Sequence, residues 1–177
     1  MDLATAREIV IAGHESAHAV AAVRLGLPFE YVTLDDPQFG PHVQGIDNLP
    51  RPIVFYRGVG VCCSQPQPMC PTCGAEETRA VSLTVMALCG SLGAAASGTK
   101  AFGYGHDADK EYVVEFCQTA FGDRTPAEVN ARIDRLLDRA LELMGPENKT
   151  VTTAAKALRA RRRLTESEVK QIMQDAC

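Results

Sequence analysis

Three observations predict a mainly α (α+β) domain with a small β-hairpin. Most of the chain carries apolar residues at helical spacing. One short region alternates apolar and polar residues with the period of a strand. Glycine, proline and capping residues separate these segments cleanly. At 177 residues the chain has the length of one domain, so 1–177 is read as a single unit with its own core.

The first element runs from Asp2 to Leu25. Ile9, Val10, Ala17, Val20, Ala21 and Leu25 recur at helical spacing, and Gly26 followed by Pro28 ends the helix. Phe29 to Leu34 and His42 to Ile46 then read as strands. Asp35, Asp36, Pro37, Gly40 and Pro41 between them favour a hairpin loop, and Ile53 to Tyr56 offers a third strand. Gly58 to Gly74 holds three prolines and four cysteines and reads as an irregular loop. Glu76 to Ala96 is helical and apolar all round, which places it in the core. A glycine-rich turn, Gly98 to Gly105, leads to a helix from about Asp107 to Phe121. Thr125-Pro126-Ala127-Glu128 combines a capping box with proline at the first helical position, and Gly145-Pro146 ends that helix after Met144. Asn148 to Arg162 forms another helix, and Thr165-Glu166-Ser167-Glu168 opens the last.

Composition narrows the function. A net charge of −4 gives no global attraction to nucleic acid or anionic membrane, and the absence of Trp argues against a base-stacking surface. No apolar run approaches the length of about 20 residues that a membrane span needs. The first residues lack the basic-then-apolar order of a signal peptide, so a cytoplasmic location is expected. Seven cysteines then read as thiols or metal ligands before disulfides.

The chemistry is concentrated in His14-Glu15-Ser16-Ala17-His18. Residues four apart share a helix face, so both imidazoles can reach one ion, and imidazole nitrogen is a natural zinc ligand. Glu15 falls beside that face, where a carboxylate can act as a general base without occupying the metal. Only four histidines occur in the chain, which makes this spacing around a glutamate hard to ascribe to chance. A catalytic zinc usually has three protein ligands. His106, Asp107, Asp109 and Glu111 are all chemically able to be the third, and spacing alone does not choose among them.

These residues resemble the peptidase domain of the FtsH-type zinc metalloproteases, a helical zincin-like fold. The zinc helix is similar to the family's HEAGHA-like motif, with Ala17 where glycine is usual. Pro28 to Leu34 resembles the start of its hairpin, and Cys89 to Ala96 its small-residue core-helix motif, without the usual arginine and paired glutamates. Gly105 to Lys110 resembles its TGAxxDL-like turn, with Lys110 where an apolar residue is usual. The closing helices, around Ala154 to Leu158 and Leu164 to Val169, are similar as well. The resemblance implies that Asp109 is the third zinc ligand. It also implies a zinc metalloendopeptidase whose catalytic base is Glu15 and whose substrates are unfolded polypeptides. Gly58 to Gly74 reads as a Cys-rich insertion without counterpart, and a stand-alone domain without an ATPase module or membrane anchor is expected. Cleavage is therefore expected to be independent of ATP, with a separate unfoldase or adaptor as a partner. The hairpin edge at Tyr31 to Leu34 or Val43 to Ile46 is expected to pair with an extended substrate.

Three further features have alternative readings. Cys62, Cys63, Cys70 and Cys73 offer a second, structural zinc site, with His42 as another candidate ligand; free thiols or a local disulfide are the plainer readings. Gly93 to Lys100 resembles a phosphate-binding loop, but Thr99-Lys100 inverts the required order and no strand precedes it. Arg159 with Arg161, Arg162 and Arg163 is a solvated helix end rather than a nucleic-acid patch. The functional alternatives are a catalytically silent zinc-binding adaptor and a metal- or redox-responsive regulator, both derived from a peptidase. Retention of Glu15 favours the enzyme.

Overall fold

Alanine and glycine supply much of the first helix, α1 (Leu3–Arg24), and this lets other elements approach it from every side. Every residue from Val10 to Ala22 except Gly13 is buried by its own side chain, and Gly13 is buried as well. The computed structural model describes residues 3–34, 42–44, 53–55, 61–64, 75–96, 109, 111, 113, 114, 117, 118, 123 and 125–176. Gly26 ends α1 in the left-handed region at φ +66°, where glycine carries no Cβ penalty. The Gly26 N–H bonds to Val23 O and the Leu27 N–H to Ala22 O, a Schellman closure that satisfies the last carbonyls.

The second long helix, α2 (Ala75–Ala96), runs antiparallel to α1. Gly93 faces Gly13 and Ala17, and seven residues back towards the start of α2 Met86 faces His18. Val85, Met86 and Cys89 join Ala17, Val20 and Phe29 in the main core. Asp109, Glu111, Val113, Val114, Cys117 and Gln118 are helical, and Val113 and Cys117 pack with Ala87 and Val129 in a smaller cluster.

Helix α3 (Pro126–Met144) begins at the expected capping box. Thr125 N–H donates to Glu128 Oε2 at 2.8 Å, and Glu128 N–H donates to Thr125 Oγ1 at 3.2 Å. A short 3-10 turn (Gly145–Glu147) leads to α4 (Asn148–Arg161), which packs along α1. Glu147 is buried, and its charge is matched by Arg24 Nε at 2.8 Å. The final helix, α5 (Glu166–Ala176), repeats the capping box with Thr165 and Glu168.

The strands differ from the sequence expectation in their pairing. Strand β1 (Phe29–Thr33) does not form a hairpin with β2 (His42–Gln44); β2 pairs with β3 (Ile53–Phe55). Strand β1 is instead the centre of a three-stranded antiparallel sheet, between β4 (Val61–Ser64) and β5 (Arg163–Thr165). Val32 is paired to Cys62 on one side and Leu164 on the other. The reason is burial: Val32, Phe29 and Leu164 are all buried in the main core, and a solvent-facing two-stranded hairpin would leave that surface exposed. Part of the segment expected to be an irregular loop is thus a strand.

Arg162 makes the turn into β5 in the left-handed region at φ 66°, a conformation costing a non-glycine residue about 1–2 kcal/mol. Its surroundings offset that cost. The Arg162 N–H bonds to Leu158 O at 2.7 Å, its carbonyl accepts from Leu34 N–H and Thr33 Oγ1, and its guanidinium reaches Glu8 Oε2 at 2.6 Å.

Two substitutions separate core from surface effects. Leu164→Ala removes a fully buried side chain and is expected to destabilise by about 2–5 kcal/mol. Gly145→Ala places a methyl group in open space on αR backbone and is expected to stabilise by about 0.4–1 kcal/mol. Denaturant midpoints of the two variants measure both; equal effects would contradict this packing.

Candidate metal centre

The helical placement of the HExxH motif brings His14 and His18 onto one face of α1, pointing towards α2 and Asp109. Both histidines and Glu15 are buried. His14 Nε2 and His18 Nε2 lie 3.0 Å apart, and the rings meet edge to face with centroids 4.6 Å apart. Asp109 Oδ2 is 3.1 Å from His14 Nε2 and 3.4 Å from His18 Nε2. The buried Oδ2 nevertheless forms no well-angled hydrogen bond with either ring.

This arrangement passes a simple geometric test for a metal. Zinc bound tetrahedrally at about 2.0–2.1 Å separates its donors by about 3.3–3.4 Å, and the three observed separations fall within a few tenths of that. Among the described residues His14, His18 and Asp109 form the one group able to share a metal ion. The tautomer of His18 agrees. Its Nδ1 faces Met86 O at 2.8 Å, so Nδ1 carries a hydrogen and Nε2 is the nitrogen left facing the other donors. Two imidazole nitrogens and a carboxylate oxygen converging this closely require positive charge among them.

The electrostatics point the same way. Burial pulls the His18 pKa down, but the charges of Asp109 and Glu15 and the Met86 carbonyl outweigh it and lift the pKa to about 9. Burial acts to raise the Asp109 pKa, but the charge of His18 and contacts with both rings hold it well below the usual carboxylate range. Glu15 behaves differently. Burial pushes its pKa up, against the opposing pull of His14 and His18. Its Oε1 is 3.9 Å from His14 Nε2, next to the donor triangle and outside it.

His14, His18 and Asp109 come together, and Glu15 stands beside them. Of the other candidates for third ligand, Glu111 is exposed and not part of the group, while His106 and Asp107 lie outside the described residues. Cys62 and Cys63 belong to β4, and Cys70 and Cys73 lie outside the described residues, as does the inverted phosphate-loop sequence after Ala96. The expected strand addition at Tyr31 to Leu34 is overturned over Tyr31–Thr33. Those residues already pair with β5, and Val32 and Thr33 pair with β4 as well.

Sequence reasoning missed the contribution of α2. A Cβ at Gly90 would press on both imidazoles, lying 2.7 Å from His14 Cε1. A Cβ at Gly93 would strike the Gly13 carbonyl and the Ala17 side chain. Ala17, the departure from the usual glycine of the motif, is accommodated because it faces Gly93. The signal was visible as a run of small residues in an apolar helix, but its partner was not.

No family model matches the chain, and no curated protein matches it. The resemblance to FtsH-type peptidases therefore rests on the motifs and their spacing. No helix among the described residues is long and apolar enough to cross a membrane. The basic run at the end of α4 is engaged internally: Arg159 and Arg162 pair with Glu8, Arg161 with Glu168, and Arg163 stacks over Tyr31 at 3.7 Å.

Zinc at this site should stabilise the fold, by about 2.7 kcal/mol at a hundredfold excess over Kd. Asp109→Asn removes the anionic donor and should lose most of that gain. Thermal midpoints with zinc and with chelator measure it, and an equal zinc-dependent shift in both proteins would remove Asp109 from the ligand set.

Proposed function

We propose that this protein is a zinc-dependent metalloendopeptidase of helical zincin-like fold, similar to the FtsH-type peptidase domains, acting on unfolded or partner-delivered polypeptides. One observation carries the reading. Three converging donors, His14 Nε2, His18 Nε2 and Asp109 Oδ2, have a buried carboxylate that is not one of them at their side. A structural metal site has no use for that fourth group.

His14, His18 and Asp109 would hold the ion. Bound there, zinc supplies Lewis acidity, lowering the pKa of water and polarising a carbonyl. Glu15 takes a proton from the attacking water and returns it to the leaving amine as the peptide bond breaks. Burial suits it to both tasks, because a raised pKa brings its proton affinity closer to that of the groups it serves. The Met86 carbonyl holds His18 in the tautomer that leaves Nε2 for the metal.

Cleavage of an intrinsically unfolded protein tests this. The zinc-loaded wild type should cleave it, chelator should stop the reaction, and Glu15→Gln should lower the rate by about 10²–10⁴-fold while retaining zinc. Zinc retention without cleavage by either protein would instead favour the silent adaptor.

A further inference from the structure

We propose that Gly90 is a positioning residue for the metal centre: its missing side chain is what allows His14 and His18 to turn their Nε2 atoms towards one point. The inference rests on the metal reading of the site. Gly90 lies in the interior of α2, where glycine is the least favourable residue after proline, so a helix position alone gives no reason for it. It is fully surrounded. A Cβ there would lie 2.5 Å from His18 Cε1 and 2.7 Å from His14 Cε1, and closer still to His18 Nε2.

Ordinarily a flexible side chain would swing away from such a methyl group. Here neither ring is free to do so. The His18 ring is held at Nδ1 by Met86 O, which lies one helical turn before Gly90 on the same face of α2. His14 is confined between His18 on one side and Asp109 on the other. Met86 and Gly90 thus act as a pair. The first fixes which nitrogen of His18 faces the donors, and the second leaves the space in which that nitrogen and its counterpart on His14 approach to 3.0 Å. Asp109 Oδ2, buried and without a well-angled hydrogen bond, marks the point on which both converge.

Gly93, three residues on, is the natural contrast. A Cβ there meets the α1 backbone at Gly13 and the Ala17 side chain, and neither imidazole is among its nearest neighbours. Gly93 serves helix approach; Gly90 serves the rings.

The test is a double-mutant cycle read in chelator, joined to cobalt substitution. In the otherwise native chain, Gly90→Ala should lower the thermal midpoint or prevent folding. In a background carrying both His14→Ala and His18→Ala, the same substitution should raise the midpoint, because the obstructing rings are gone and alanine is the better helix former. Where it folds, Gly90→Ala should bind Co²⁺ at least about tenfold more weakly and lose the visible absorption of the wild-type cobalt protein. Equal destabilisation in both backgrounds would overturn the proposal, as would a Gly90→Ala protein with the wild-type cobalt spectrum and affinity. A wild type with no cobalt spectrum would overturn the metal reading itself, and the sign of the cycle would still decide whether Gly90 serves the rings.

Discussion

The close approach of α1 and α2 is the constraint on which the rest of the structure depends. Two helices can come this near only where small residues meet, and here Gly13 and Ala17 meet Gly93 while His14 and His18 meet Gly90. The same seam therefore builds the hydrophobic core and the candidate metal centre. Val20, Met86 and Cys89 belong to that core. The sheet and the C-terminal helices then close around α1, with Phe29, Val32, Leu164 and Val169 sealing the far end of the same core. A change in the spacing of these helices would move the donors by as much as it moved the core.

The polar cluster inside this seam has a cost. Two imidazoles and a glutamate are buried, beside a largely covered aspartate, in a domain whose total stability is only about 5–15 kcal/mol. Such a cluster is neutral or unfavourable unless its charges are matched, and Asp109 against His18 supplies a partial match. A divalent cation matches it more fully. The buried Glu147 shows the ordinary structural solution, a single carboxylate answered by a single arginine, Arg24. The candidate metal centre departs from that pattern because its donors converge on a point instead of on a partner. That departure is what the proposed ion would account for.

Much of this was legible in the residues, for local reasons. The HExxH spacing encodes a shared helix face, Gly26-Leu27-Pro28 encodes a helix stop, and Thr125 to Glu128 encodes a helix start; each involves neighbours a few residues apart. Asp109 was reached only through resemblance, since its distance from His18 in the chain leaves no local trace. The sheet order is not legible in the sequence because pairing is a long-range choice. Phe29 to Thr33 announces a strand but not that its partners are Val61–Ser64 and Arg163–Thr165. Strand β5 escaped notice because three residues behind an arginine run carry no periodicity, and its pairing is fixed by Arg162 turning back onto Thr33 and Leu34. The role of Gly90 was hidden for a similar reason. A glycine reports that a neighbour is close, never which neighbour it is.

Anomalous diffraction at the zinc edge, from crystals grown with zinc, tests the central claim most directly. A peak bonded to His14 Nε2, His18 Nε2 and Asp109 Oδ2 at about 2.0–2.2 Å is expected, with Glu15 near the ion but not coordinated to it. A map with no peak at these three atoms, or with zinc bound only elsewhere in the chain, would contradict it.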